Sequence, residues 1–420
     1  MANKLVKWAL ISVSIVGVLA FIFKLYEPQF LSMEWQPLPD INRDIGENRV
    51  YQTKYQQSVK KAQNIVQQGR ENLESPGISI AIGINGENVW AAGYGYADLE
   101  TKKPVTTESQ FYIGSTSKAL TSIALGYLIE NKRLDLNDPI GKYLPDLPVA
   151  LRKITIRQLA SHQSGIRNYG MCLCLPVSEY HNNDEYASVT EALQVFIDDP
   201  LLFEPGEQFS YSSYNFTLLS AVMEKAYEQP FLQLMKDAVF DPLDMSLTVA
   251  DQKTAKTPYK VKFYNVGQKH YQHAYAVNNS NKWAGGGFLS TPSNLVAMGN
   301  RILKGDYLKD KTLQSLFEPQ MLNNKQVNPQ GYAIGWRHNI AKKKLGGKDK
   351  VHYIHHGGVA SGSRSFLVMF PEYGLVISVL INSSGGSFSD LSDMTFDIAQ
   401  AFLSDLQKSK ATYEPNHENT

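Results

Sequence analysis

Three short segments hold residues whose types and spacing suit acyl-transfer chemistry. In Phe111-Tyr-Ile-Gly114-Ser115-Thr-Ser117-Lys118 a serine and a lysine stand three residues apart. On a helix that spacing puts both side chains on one face of a single turn. Serine is a poor nucleophile at neutral pH and needs a neighbouring base, and an unprotonated lysine amine is one. The free N–H groups of a helix N-terminus also favour negative charge on a bound oxygen. The same tetrapeptide fits an ordinary helix start, with an N-cap serine and a solvated lysine, so by itself it specifies little. The second segment is Pro205-Gly206-Glu-Gln-Phe-Ser-Tyr211-Ser-Ser213-Tyr-Asn215, where a tyrosine and hydroxyls follow a turn ahead of an apolar helix. The third, His355-His356-Gly357-Gly358, precedes a strand-like run from Ser365. A serine–lysine hydrolase needs these parts: a nucleophile, a second proton carrier for the leaving group, and a strand edge with free N–H groups.

The elements that must position these residues are readable from periodicity. Apolar pairs at Ala119/Leu120, Ile123/Ala124 and Tyr127/Leu128 predict a helix running on from Lys118. Runs at Ile78–Ile84 and Val89–Tyr94 flank Asn85-Gly86, a strong hairpin signal. Ser365–Phe370 and Leu375–Ile381 are β-branched and apolar, and Asp390–Leu406 carries Met394, Ile398, Phe402 and Leu406 on one helical face. Helical spacing also marks Tyr51–Leu73, residues 190–198 and residues 216–227. Ile156–Ala160 reads as a short helix running into a loop at Gly165. The glycines of Trp283-Ala-Gly285-Gly286-Gly287 permit close backbone approach and suit a cleft wall or a tight turn. Strands at both ends with helices between them predict an α/β (α+β) fold. It is an antiparallel sheet flanked by helices, with a mostly helical region, roughly 120–350, inserted in a domain spanning 51–408. Residues 409–420 read as a loose tail.

Composition bounds the function. The 420-residue chain is 43% hydrophobic and 19% charged, ordinary for a globular protein. Forty-one Lys plus Arg against 40 Asp plus Glu leave no electrostatic footprint for a nucleic-acid partner. The two cysteines, Cys172 and Cys174, are too close for an unstrained bridge, which excludes a disulfide scaffold. Trp8–Phe23 is a continuous run of apolar or small residues flanked by Lys4, Lys7 and Lys24. With its neighbours it approaches the ~20 residues that cross a bilayer. No small-x-small cleavage site follows, so residues 1–26 are expected to form an uncleaved transmembrane anchor. The flanking lysines place the N-terminus in the cytoplasm. The domain would then face the periplasm or another extracytoplasmic space from the inner membrane. Pro28, Pro37 and Pro39 mark residues 27–50 as a tether.

With the three segments in order, the chain resembles the serine β-lactamase and penicillin-binding-protein superfamily. It is nearest the class C branch, and there the mitochondrial serine β-lactamase-like proteins and their bacterial relatives. The motifs that carry the resemblance are Gly93-Tyr-Gly-Tyr-Ala97-Asp98, Ser115-Thr-Ser-Lys118, Ser161-His-Gln-Ser-Gly165, Pro205-Gly206-Glu207 ahead of Tyr211, Lys282-Trp-Ala-Gly-Gly-Gly-Phe-Leu-Ser-Thr291, and His355-His-Gly-Gly358. They span Gly77 to Ser384. The resemblance implies an antiparallel sheet flanked by helices beside an all-helical region. It implies that Ser115 is the acylated nucleophile, Lys118 its general base, and Tyr211 the carrier of a proton to the leaving group. The oxyanion hole would be formed by the backbone N–H groups of Ser115 and Gly358, next to Gly357. His355 would fill a position held by lysine in many lactamases.

Two departures shift the expected substrate. The Tyr-x-Asn motif of class C enzymes stands here as Tyr211-Ser-Ser213, while Ser213-Tyr-Asn215 matches a Ser-x-Asn pattern of other branches. His355 is mostly neutral at pH 7, given a reference pKa of ~6.5, so a fixed cation is replaced. Both point away from β-lactams toward a peptide, amide or ester acyl group. Related readings are a D-alanyl-D-alanine carboxypeptidase or a carboxylesterase; a rival of another class is a silent peptide-binding or scaffold protein. No organic cofactor is implied. A metal at His352, His355 and His356 is disfavoured because extended chain turns His355 and His356 apart. There is no G-x-S-x-G elbow of an α/β-hydrolase. The sequence does not specify an oligomeric state.

Overall fold

The computed structural model describes residues 2–26, 35–41, 46–170, 179–252, 257–341, 345 and 350–413. Cys172, Cys174, part of the tether and the end of the tail lie outside the described residues. The main strands are β1 (Gly46–Val50), β2 (Gly77–Ile84), β3 (Glu87–Asp98), β4 (Arg337–Ala341), β5 (Val351–Ala360), β6 (Ser363–Phe370) and β7 (Leu375–Ile381). They form one antiparallel sheet in the order β4-β5-β6-β7-β2-β3-β1, with Lys103–Pro104 added beside β3. The N- and C-terminal parts meet where β7 pairs with β2, from Leu375 opposite Ile84 to Ile381 opposite Ile78. Asn85 and Gly86, both at positive φ, turn the β2–β3 hairpin as expected.

The larger helices are α1 (Ala2–Tyr26), α2 (Gln56–Asn72), α3 (Ser117–Glu130), α4 (Tyr214–Tyr227), α5 (Pro292–Lys304) and α6 (Phe388–Tyr413). Period-two alternation divides the sheet between two cores. Ile78, Ile80, Ile82, Phe366, Val368 and Phe370 pack under α2 and α6, against Val59, Ala62, Val66, Met394, Ile398 and Phe402. Ala81, Leu367, Met369 and Val376 face the other way, against Leu295, Val296, Met298 and Ile302 of α5 and the helical region beyond. Each of these buried aliphatic side chains contributes about 1.5–3 kcal/mol relative to exposure. The start of α5 is set by the Thr291 side chain, which accepts the Asn294 N–H, and by Pro292 in the first turn; Gly305 ends it in left-handed conformation.

Several expectations change. The sheet begins at Gly46, inside the stretch read as tether, because this polar edge strand (Gly-Glu-Asn-Arg-Val) lacks an apolar alternation. The helix expected at 190–198 is one turn, Val189–Ala192, followed by a 3-10 turn at Leu193–Val195. Two small sheets tie the inserted region to segments before it, one joining Phe111–Tyr112, Phe288–Ser290 and Val249–Ala250, the other Gln36–Pro37, His270–His273 and Tyr264–Gly267. At the N-terminus the expected helix, α1, is observed and exposes Val6, Trp8, Leu10, Val13 and Val16. Among the described residues, however, no helix is long and apolar enough to cross a membrane. The helix is therefore observed, and its crossing of a membrane is not.

Candidate active site

Ser115 lies in a 3-10 turn, Gly114–Thr116, that runs directly into α3. The turn is pinned against β5 and β6 by side chains. Thr116 Oγ1 donates to the His356 carbonyl at 3.3 Å and lies 2.8 Å from Ser365 Oγ, which donates to the Ile113 carbonyl at 2.6 Å. β5 pairs with β4 only as far as His355, opposite Arg337. From His356 to Ala360 the edge is therefore open on the side away from β6. Two glycines let this edge reach the turn. Gly114 sits at φ +47°, where a β-carbon would meet the Val359 backbone, and a β-carbon on Gly358 would overlap the Ile113 carbonyl oxygen.

Lys118 is fully buried one turn along α3. Its Nζ is 3.2 Å from Ser115 Oγ, 3.1 Å from Ser213 Oγ and 2.5 Å from the Gly285 carbonyl oxygen. The Tyr211 ring centroid lies 5.0 Å and the Phe216 centroid 5.4 Å from the same nitrogen. No carboxylate of the described residues is within ion-pair distance of it. Burial therefore lowers its pKa below the usual lysine value; Tyr211 opposes the shift, and Arg337 adds to it. The result is an amine that holds its proton less tightly than an exposed lysine, touching a half-buried serine hydroxyl.

Around this pair stands a neutral aromatic and imidazole wall. His162 Nδ1 receives the Ser212 N–H at 3.2 Å, so its proton sits on Nε2. Its ring lies 4.2 Å from Tyr211 and 4.5 Å from Tyr332, centroid to centroid. His356 Nδ1 faces the Gly357 carbonyl at 2.7 Å, which leaves Nε2 to accept from the Tyr332 hydroxyl at 3.0 Å. Burial holds both histidines well below their ordinary pKa, with Lys118 and Arg337 pushing the same way. Arg337 lies over the Tyr332 and Tyr211 rings at 5.0 and 5.5 Å. A cavity of about 40 Å³ opens at Ser115, lined also by Ser213, Lys282, Gly285 and Val359. It shares Tyr112, Val277, Asn279 and Ser361 with a wider chamber of about 720 Å³.

The chain that carries this site is similar to known proteins over most of its length. A family model described as Beta-lactamase matches residues 62–402. The chain belongs to the beta-lactamase family. Among its relatives there, the serine beta-lactamase-like protein LACTB, mitochondrial, of Homo sapiens is 27% identical over 422 residues, covering 78% of this chain and 77% of that protein. Protein flp of Staphylococcus aureus (strain MW2) is 28% identical, covering 78% of this chain and 64% of its own length. Two solved structures share the beta-lactamase family fold. The octameric penicillin-binding protein homologue from Pyrococcus abyssi superposes with a TM-score of 0.67 at 23% identity, covering 83% of this chain and 77% of that one. The D-amino acid amidase from Ochrobactrum anthropi SV3 gives 0.69 at 20% identity, covering 84% and 99%.

Of the residues singled out in the sequence, Ser115, Lys118, Tyr211 and Ser213 come together. Ser213 touches the lysine directly, while Tyr211 presents its ring to it. The Asn215 amide, the third member of a Ser-x-Asn pattern in other branches of the superfamily, turns into the core and accepts from Ser164 Oγ at 2.6 Å. Gly358 faces the nucleophile turn; a β-carbon on Gly357 would strike Phe388 on the opposite face of the sheet. His355 shares that far face. Its ring packs on Tyr353 and Phe366, its Nε2 meets Asn339 Oδ1 at 2.8 Å, and burial, with Arg337 and His338, pushes its pKa down to about 3. The histidine on the Ser115 face is His356. Strand alternation was the available signal, since residue 356 shares its face with Gly358. Gly285 lies in the glycine cluster that suits a cleft wall, whereas Tyr332 and Arg337 have no local motif that would announce them. Among the described residues no cluster of His, Cys, Asp or Glu could hold a metal ion.

Proposed function

We propose that the protein is a serine hydrolase that forms an acyl-enzyme on Ser115 with amide or peptide substrates. The observation that carries this reading is the 3.2 Å approach of the buried, carboxylate-free Lys118 amine to Ser115 Oγ. Lys118 takes the hydroxyl proton as Ser115 Oγ attacks the substrate carbonyl. The developing oxyanion is met by the Ser115 N–H at the helix start and by the β5 edge at Gly358–Val359. The proton then passes to the departing amine, with Ser213 and Tyr211 beside Lys118 as its carriers. Water attacking the acyl-enzyme completes the cycle, and Lys118 serves again as base. A neutral His356, in place of a fixed cation on this strand, supports an acyl group other than a β-lactam.

The test is labelling with a serine-directed fluorophosphonate. Wild-type protein takes up one label and Ser115→Ala none; equal labelling of both would overturn the assignment.

The reading includes an anchor. The run of exposed apolar side chains along α1, flanked by Lys4 and Lys7, supports attachment to the inner membrane with the catalytic domain on the extracytoplasmic side. Deleting residues 1–26 is expected to move the protein from the membrane to the soluble fraction, with labelling of Ser115 retained. Persistent membrane attachment of the truncated protein would contradict the anchor.

A further inference from the structure

Lys282 is a second buried lysine in the cavity, and the chemistry at Ser115 leaves it unused. It is 3% exposed and lines the same 40 Å³ space as Ser115 and Ser213. Its Nζ donates to the Tyr180 carbonyl at 2.8 Å and lies 4.7 Å from the Tyr180 ring centroid and 5.4 Å from that of Tyr169. Both tyrosines line the cavity as well. Aromatic faces attract an ammonium group but do not neutralise it. The carboxylate that bears on it, Asp251, is already engaged by Lys260 at 2.6 Å and by Asn279 Nδ2 at 2.8 Å. Among the described residues Lys282 therefore has no ion-pair partner, although a buried charge without one is strongly disfavoured. A methionine would fill the same slot between two tyrosines at no such cost. What the lysine adds is an amine that can carry a positive charge, on a residue that lines the same cavity as Ser115.

We propose that Lys282 is a specificity-determining residue that binds a carboxylate carried on the substrate within a few bonds of the carbonyl attacked by Ser115. Lys282 and Ser115 line one cavity, so a single small substrate can meet both groups. The wider chamber past Tyr112 and Asn279 admits the rest of the molecule. The inference rests on the acyl-enzyme reading above and adds the substrate's charge to it.

Burial pushes the Lys282 pKa down to about 7, against the pull of Asp251. An empty site is thus partly neutral at pH 7, and an arriving carboxylate favours the protonated form. Preference for an anion is accordingly full below this value and is lost as pH rises through it. The other ionisable groups facing this corner are Asp251 and Lys260 behind it, His181 beside Tyr180, the phenols of Tyr112, Tyr169 and Tyr180, and Lys118 across Gly285. A variant at Lys282 separates its titration from theirs.

The experiment is protection of Ser115 from a fluorophosphonate by two competitors of equal size: succinic acid mono-4-nitroanilide, an anion, and its primary-amide counterpart, which is neutral. At pH 6 the anion is expected to protect wild-type protein at about tenfold lower concentration than the amide. The ratio should fall toward one at pH 9, and toward one at pH 6 in Lys282→Met. Equal protection by both compounds in the wild type at pH 6 would overturn the proposal, as would a preference that survives in Lys282→Met. Should Lys282→Met fail to fold, Lys282→Gln, neutral and able to donate to the Tyr180 carbonyl, makes the same comparison. Absence of any label without competitor would instead refute the acyl-enzyme reading, so the two failures are told apart.

Discussion

Replacing Lys118 by methionine is expected to slow acylation of Ser115 by about a thousandfold, within the range of a lost general base. Its Nζ is the basic group in contact with the hydroxyl, and burial keeps the amine from holding its proton as an exposed lysine would. The wild-type acylation rate should rise with pH and level off below the ordinary lysine pKa, because the protonated amine cannot accept the serine proton. In Lys118→Met that limb should vanish. Stability moves the other way. Between the lowered folded pKa and the ordinary unfolded one, the unfolded chain binds more protons, so unfolding becomes harder as pH rises. A methionine removes this penalty, and Lys118→Met should melt no lower than wild type at pH 7. A variant that labels at the wild-type rate, measured by stopped labelling across pH 6–10, would contradict the role given to Lys118.

The second large effect is geometric. Gly358→Ala places a methyl group on the Ile113 carbonyl oxygen and 2.5 Å from Ser365 Oγ, in the contact that brings the β5 edge to the nucleophile turn. Neither obstacle is a flexible side-chain end free to swing away. The strand edge must retreat by an appreciable fraction of an ångström to about 1 Å, and a misplacement of that size costs on the order of 10² in rate. Gly358→Ala is therefore expected to lose about a hundredfold in kcat/KM while the sheet, fixed by the alternating cores of β6 and β7, stays folded. Circular dichroism and steady-state turnover of an amide substrate check both halves. Unchanged turnover in a folded variant would show that this edge does not serve the reaction.

How much of this was legible in the sequence depended on range. Ser115 and Lys118 were readable because a helical turn joins them locally, and the β2–β3 hairpin because Asn85-Gly86 admits only a few turn shapes. The choice between His355 and His356 needed only the two-residue period of a strand, which the Gly357-Gly358 register supplies. Family motif position pointed instead to His355, which the fold directs toward α6. Tyr332 and Arg337 come from a segment far from Lys118 without a motif of its own; Lys282 and Gly285 belong to a readable motif, but only folding sets the Gly285 carbonyl on Lys118. Edge strand β1 was missed for a different reason. It buries little, so its side chains carry no apolar pattern to read.

The most direct test of the central claim is intact-protein mass spectrometry after brief exposure to peptide, amide, ester and β-lactam acyl donors, with the modified residue mapped by peptide digestion. A covalent acyl adduct on Ser115, formed with an amide or ester donor and absent from Ser115→Ala and Lys118→Met, is the predicted result. An adduct on another residue, or turnover of any such donor by Ser115→Ala at the wild-type rate, would contradict it.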